Sequence, residues 1–145
     1  MEWDIPAEGD SKTAYLRHRF TVTEPMFDLL VRLQFDDGFI AYLDGQELRR
    51  SNLPLDEGDH YDLMASVAQA NAGETTTYRL LDLGRGLQPG EHVLALSLHN
   101  FKSDSSDLRV ADIRLLGTSV RAAEALVATA NAEHLTSADF RVIPF

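Results

Sequence analysis

Three aspartates occupy positions where a metal ion could bind. Asp36 and Asp37 are adjacent and precede Gly38, and Asp44 precedes Gly45 one strand length later. Calcium takes about six to eight oxygen ligands and accepts irregular loops, so these carboxylates and nearby main-chain carbonyls form a candidate Ca²⁺ site. The spacing is not that of an EF-hand. In the alternative interpretation, the carboxylates accept hydrogen bonds from backbone N–H groups in turns and caps.

A polar loop, residues 99–107 with the sequence HNFKSDSSD, follows an apolar stretch. Its imidazole, amide, hydroxyl and carboxylate groups are those that hydrogen-bond sugar hydroxyls, and an aromatic ring can stack on a pyranose. The candidate ligand-binding residues are Tyr42, His99, Asn100, Phe101, Ser103 and Asp107. In the alternative interpretation, His99 and Asp107 are internal partners that hold this loop to the Asp36–Asp37 corner.

No enzyme motif accompanies these residues. The chain lacks a His-Glu-x-x-His motif, a Gly-x-Ser-x-Gly motif, a P-loop and a dinucleotide-binding glycine pattern. With 23 acidic residues, a carboxylate pair suited to glycoside hydrolysis will arise by chance. We therefore expect a protein that is not an enzyme.

The Asp44-Gly45 dipeptide lies between two strand-like runs and predicts a tight hairpin. Alternation of apolar and polar residues predicts further strands, and two runs that are apolar at both parities predict strands covered on both faces. The predicted strands are Tyr15–Val22, Leu29–Phe35, Phe39–Leu43, Thr75–Leu81, Val93–Leu98 and Leu108–Leu116. Short strands separated by turn signals indicate an all-β antiparallel sandwich, with a jelly roll as the favoured topology.

The chain divides into three parts. Residues 1–14 are an N-terminal lead-in, residues 15–117 form the sandwich, and residues 118–145 contain a predicted helix over Val120–Ala132 and an extended tail. A second, short helix is predicted over Tyr61–Ala70. The apolar tail Ala138–Phe145 is suited to adding a strand to a partner chain.

Composition limits the partners. The 145-residue chain has no cysteine and a net charge of -10, which excludes disulfides and disfavours nucleic acid and anionic membranes. No apolar run approaches the length of a membrane span, so no membrane insertion is expected. Met1 is followed by acidic and polar residues, so no signal peptide is predicted.

The order of the segments YLRHRFTV, LQFDDGFIAYLDGQELRRSNLP, LQPGEHVLALSLHN and SSDLRVADIRLLG resembles a galactose-binding-domain-like jelly-roll module. Such modules occur in bacterial secreted and surface proteins beside metallophosphoesterase, lamin-tail and spore-coat kinase-like domains. The resemblance implies an extracellular, periplasmic or cell-surface location and an accessory role, and related sandwiches bind carbohydrate, often with a structural calcium. It also adds Asn52 to the candidate ligand-binding residues. The family pattern falls on Asp36, Asp37, Gly38, Asp44, Gly45, Asn52, Pro54, Gly90, Glu91, His99, Asn100, Ser106 and Asp107.

Two functions are therefore expected. The first is a binding module that takes carbohydrate at a rim of loops, with or without Ca²⁺. The second is an assembly module that attaches to a larger protein complex through the sandwich and the C-terminal tail.

Overall fold

The structure, a computed structural model, describes residues 12–68, 74–81, 85–103 and 108–119 and the backbone of residues 141–143. Eight strands form two four-stranded antiparallel sheets. The strands are β1 (Thr13–Val22), β2 (Met26–Asp36), β3 (Gly38–Leu43), β4 (Gln46–Ser51), β5 (Thr76–Arg79), β6 (Gly90–His99), β7 (Arg109–Ser119) and β8 (Arg141–Ile143). This arrangement confirms the predicted all-β sandwich.

The first sheet has the strand order β1-β6-β3-β4, and the second has the order β5-β2-β7-β8. Their facing sides enclose one apolar core. Leu94, Leu96 and Leu98 occupy alternate positions of β6 and are buried in this core, as period-two side-chain alternation requires. Alternate residues between them, including Ala95 and Ser97, therefore lie on the outer face of the first sheet.

The predicted hairpin is present. Asp44 and Gly45 connect β3 to β4 with φ values of 51° and 83°, as a type I′ turn requires. Before it, the chain passes from the second sheet to the first between Asp36, at the end of β2, and Gly38, at the start of β3. The two aspartates that head the candidate metal site thus lie where the sheets meet.

Residues 52–68, which we call the covering segment, lie across part of the outer face of the first sheet. Leu53, Leu63 and Ala65 pack against Ile40 of β3 and form a second, smaller apolar cluster. Each Å² of apolar surface that this cluster buries stabilises the folded state by about 25 cal/mol. The covering segment explains why β3 is apolar at both parities.

The short helix predicted over Tyr61–Ala70 is wrong for residues 61–68, which contain no helix. Backbone N–H groups there bond to distant carbonyls instead: Ala65 N donates to Asn100 O at 3.0 Å, and Ser66 N donates to Asn52 O at 2.9 Å. Tertiary hydrogen bonds have replaced the local i to i−4 pattern that a helix needs.

The end of the chain is described only in part. Strand β8 pairs antiparallel with β7 at the edge of the second sheet, so this part of the tail adds a strand to its own sandwich. The helix predicted over Val120–Ala132 and the lead-in over residues 1–11 lie outside the described residues. Within the described residues, no helix is long and apolar enough to cross a membrane.

Candidate functional site

The loop that follows β6 places its first polar residues inside the protein. His99 and Asn100 are 0% and 1% exposed, and Phe101 packs against the cluster beneath the covering segment. Ser103 is exposed, whereas Asp107 lies outside the described residues. His99 and Asn100 therefore present no surface to a ligand in this arrangement.

Asn52 is also committed to internal bonds. Its amide nitrogen donates to Asp37 O at 2.9 Å and to Val67 O at 2.6 Å, and its amide oxygen accepts from Val67 N at 3.3 Å. Asn52 adopts a positive φ of 55°, which asparagine tolerates better than most residues. One side chain thereby closes both ends of the covering segment onto the start of β3.

His99 is the centre of a buried polar network. Its Nδ1 lies 2.9 Å from Leu63 O and 3.1 Å from Thr13 Oγ1, and Thr13 Oγ1 itself donates to Tyr61 O at 2.7 Å. Nδ1 therefore faces two acceptors and carries the hydrogen. Its Nε2 lies 2.6 Å from Ser97 Oγ and 3.2 Å from Asp59 Oδ1.

Asp59 of the covering segment completes the network. Its Oδ1 accepts from Ser97 Oγ at 3.0 Å and its Oδ2 from the Tyr42 hydroxyl at 2.8 Å. Burial lowers the pKa of His99, against smaller opposing effects of the Leu63 carbonyl and Asp59. His99 thus contacts Ser97, which links it to Asp59.

The aspartates predicted to bind calcium lie at opposite ends of β3. Asp37 Oδ2 accepts from Phe101 N at 2.8 Å, whereas Asp44 Oδ1 accepts from Val93 N at 2.8 Å. Asp44 lies seven positions after Asp37 along extended chain, a distance of about 23 Å. A single ion that shares Asp36, Asp37 and Asp44 is therefore not possible, which corrects that part of the expectation. Among the described residues, no group of three metal-ligating side chains is assembled.

Asp44 contacts a second group. Its Oδ2 lies 2.7 Å from His92 Nδ1, and His92 Nε2 lies 2.8 Å from Gln88 O. Although burial lowers the pKa of His92, the Asp44 carboxylate and the Gln88 carbonyl outweigh it and raise this pKa above its usual value. Asp44 therefore acts as a cap of the hairpin and of β6.

The part of the first sheet that the covering segment leaves open forms a groove of about 630 Å³, which we call the outer groove. Its floor is the outer face of β6, and its two walls come from β1 and from the β3–β4 hairpin. The floor residues are Val93, Ala95 and Ser97, and the wall residues are Tyr15, Arg17, Tyr42, Asp44 and Gly45, with Asp59 at one end.

Strand register sets the shape of this groove. Ala95 pairs with Arg17 of β1 on one side and with Tyr42 of β3 on the other. Because neighbouring strands lie about 4.8 Å apart, the two long side chains rise about 10 Å from each other over the single methyl group of Ala95. A small residue between two large ones makes the depression.

One end of the groove is closed by polar groups, because Asp59 and Ser97 meet there. Tyr15 pairs with Ser97 in register and is 51% exposed. Partial burial, and then Asp59, raise the pKa of the Tyr15 phenol, so its ring and neutral hydroxyl are both presented to a ligand. The groove thus joins exposed aromatic surface to hydrogen-bonding groups that are already held in place.

Of the predicted site residues that the structure describes, only Tyr42 and Asp44 line the outer groove. The sequence interpretation missed Tyr15, Arg17, Asp59, Ala95 and Ser97 as site residues. Tyr15 and Arg17 share the polar parity of β1, which marked them as outward-facing, but nothing in the sequence indicated that β6 is the neighbour of β1. The pairing of strands far apart in the chain created the site.

Comparisons with protein-family models, with curated proteins and with solved structures found no match. The resemblance to galactose-binding-like modules therefore stays a prediction.

Proposed function

We propose that this chain is a non-catalytic carbohydrate-binding module whose ligand occupies the outer groove. The observation that carries the proposal is the pair of tyrosines, Tyr15 and Tyr42, on opposite walls of a groove floored by Ala95. The C–H groups on one face of a pyranose are apolar and pack on such rings, while the hydroxyls at its edge need the polar groups that surround them.

Preorganisation supports the proposal. Asp59 is fixed by Tyr42 and Ser97 before any ligand arrives, so a sugar hydroxyl that donates to this carboxylate meets a group with little freedom left to lose. The proposed ligand class is the one that the sequence favoured. The proposed position is different, because a sheet face replaces the loop rim that contains His99 and Asn100.

We propose further that the two sheets belong to a jelly roll of the galactose-binding-like kind. We also propose that the chain serves as an accessory module outside the bacterial cytoplasm, in the periplasm, at the cell surface or in the medium. Both statements are supported by the sequence resemblance. Calcium, if it binds, does so at the Asp36–Asp37 corner as a structural ion.

A glycan array with purified wild-type protein, with and without calcium, tests the proposal. Ala95→Leu fills the floor of the groove without altering either wall and should abolish binding of every glycan that the wild type retains. Tyr15→Ala should weaken binding about threefold to tenfold, as expected for an aromatic contact.

Tyr61→Ala is the matched control, because Tyr61 is 50% exposed, close to the exposure of Tyr15, and does not line the groove. It should bind like the wild type. Retained binding by a folded Ala95→Leu protein would place the ligand elsewhere and overturn the proposal, as would an array without any bound glycan.

The assembly function is the second candidate. It is favoured by β8, a three-residue strand at the edge of the second sheet that could pair with a partner chain. Deletion of residues 137–145 followed by measurement of oligomeric mass tests it. A loss of mass from an oligomer to a monomer supports assembly, and an unchanged mass argues against it.

A further inference from the structure

We infer that the outer groove selects sugars that carry a carboxylate, with Arg17 as the residue that binds this group. The inference rests on the proposed carbohydrate function and narrows its ligand class to uronic-acid-type sugars. Three charged side chains line the groove: Arg17 on one wall, Asp44 on the other and Asp59 at the closed end.

Both carboxylates in the groove already have internal donors. Asp44 accepts from Val93 N and lies 2.7 Å from His92, and Asp59 accepts from Tyr42 and Ser97. Their negative charge is therefore partly balanced by the protein itself. A ligand can still reach Asp59 through its remaining lone pairs, but neither carboxylate requires a cation from outside.

Arg17 differs from these groups. Its exposed guanidinium makes no hydrogen bond or ion pair to any other residue of the described part of the chain. Six other described arginines reach a partner, which is a carboxylate for Arg19, Arg32, Arg50, Arg79 and Arg114 and the Tyr78 ring for Arg49. Arg85 and Arg109 have no such contact among the described residues, but neither lines the groove, so Arg17 is the groove-lining arginine that a ligand can reach.

The positions of Arg17 and Tyr15 favour binding of a sugar ring that carries a planar carboxylate. The guanidinium presents a flat fork of N–H donors that matches a carboxylate with two parallel hydrogen bonds. Tyr15 lies two residues before Arg17 on the same face of β1, so its ring stands beside the guanidinium. A pyranose that packs on Tyr15 can therefore direct a carboxylate substituent toward Arg17.

The overall charge limits the ligand further. A net charge of -10 repels a long polyanion, but at about 0.15 M salt this repulsion is screened beyond about 8 Å, so the local guanidinium decides the binding of a short acidic oligosaccharide. The test therefore uses trisaccharides of galacturonate, mannuronate and guluronate, each beside its carboxyl-reduced, uncharged counterpart, in calorimetric titrations. A sulfated galactose trisaccharide is a separate arm.

At least one uronate trisaccharide should bind about tenfold more tightly than its reduced counterpart, and Arg17→Gln should remove this preference. Arg17→Lys should restore only part of it, because an ammonium keeps the charge and loses the planar fork. The control is Arg19→Gln, which removes the same charge two residues further along β1, outside the groove, and should keep the preference.

Each contrary outcome has a defined meaning. Equal binding of charged and uncharged trisaccharides, or a preference that survives Arg17→Gln, overturns the inference, and so does tighter binding of the sulfated sugar than of every uronate. In these cases carbohydrate binding that is lost in Ala95→Leu still supports the proposed function. If no trisaccharide binds, and the glycan array is also empty, both proposals fail.

Discussion

The phenol of Tyr42 on β3 donates a 2.8 Å hydrogen bond to the Asp59 carboxylate and so ties the covering segment to the first sheet at the closed end of the outer groove. Burial, and then the bond to Asp59, raise the pKa of this phenol well above its usual value. Tyr42 therefore remains a donor over the whole physiological pH range.

Removal of this donor should destabilise the protein. Tyr42→Phe leaves the ring in place but takes one hydrogen bond from a carboxylate that is only 18% exposed, so we expect a loss of about 1–2 kcal/mol in the free energy of unfolding. Urea denaturation measures it. Tyr61→Phe, at a phenol that is 50% exposed, should change the stability by less than about 0.5 kcal/mol. Equal effects of the two variants would contradict the network.

His92 and His99 should impose opposite pH dependences on stability. The pKa of His99 is lowered from 6.5 by burial, so the unfolded chain binds this proton first and the neutral ring's contribution is lost as the pH falls below about 6.5. The pKa of His92 is raised from 6.5, against the effect of burial, by Asp44 and Gln88, so its contribution is present below about 6.5 and is lost as the pH rises through the folded value.

Unfolding of single variants between about pH 5.5 and 8 separates the two effects, because carboxylates with ordinary pKa values change little over this range. The loss of unfolding free energy caused by His92→Gln should grow as the pH falls, whereas the loss caused by His99→Gln should shrink. Parallel slopes for His92→Gln and His99→Gln would refute the assignment.

Asn52 combines two functions that glycine and alanine can separate. Asn52→Gly loses the bonds to Asp37 O and Val67 but relieves the positive φ, whereas Asn52→Ala loses the same bonds and keeps the strain. We expect Asn52→Ala to be less stable than Asn52→Gly by about 1 kcal/mol, and both to be less stable than the wild type. Thermal or urea unfolding measures the order, and an alanine variant as stable as the glycine variant would exclude strain at this position.

A melt in excess calcium separates the two interpretations of the Asp36–Asp37 corner. Asp37 already accepts a hydrogen bond from Phe101 N and Asp44 is too far away to help, so we expect the melting midpoint to remain unchanged. A midpoint that rises with calcium in the wild type but not in Asp36→Asn would instead establish a structural ion at the corner.

Local patterns predicted much of the fold. The Asp44-Gly45 turn, the alternation in β1 and the doubly apolar β3 all correspond to features of the structure, because turn chemistry and period-two burial are encoded within a few residues. The helix predicted over Tyr61–Ala70 failed over residues 61–68, since its N–H groups bond to carbonyls at Asn52 and Asn100, which no local pattern reports.

The candidate site was harder to predict than the strands. Arg17, Tyr42 and Ala95 become neighbours only because β6 pairs with β1 on one side and β3 on the other, which joins residues up to 78 positions apart in the register. His99 was predicted as a site residue but does not line the groove. Its residue type suggested a ligand-binding group, but its position at the end of a central strand buries it, and its ring hydrogen-bonds to the covering segment.

Strand β6 uses its two faces for different purposes, with leucines at 94, 96 and 98 in the core and Val93, Ala95 and Ser97 toward the groove. The same alternation makes this strand sensitive to register. An insertion of a single residue into β6 would exchange the two sets, so that leucines filled the groove and a serine entered the core. Substitutions can therefore alter the ligand preference of β6 one position at a time, but changes of its length will remove the fold and the site together.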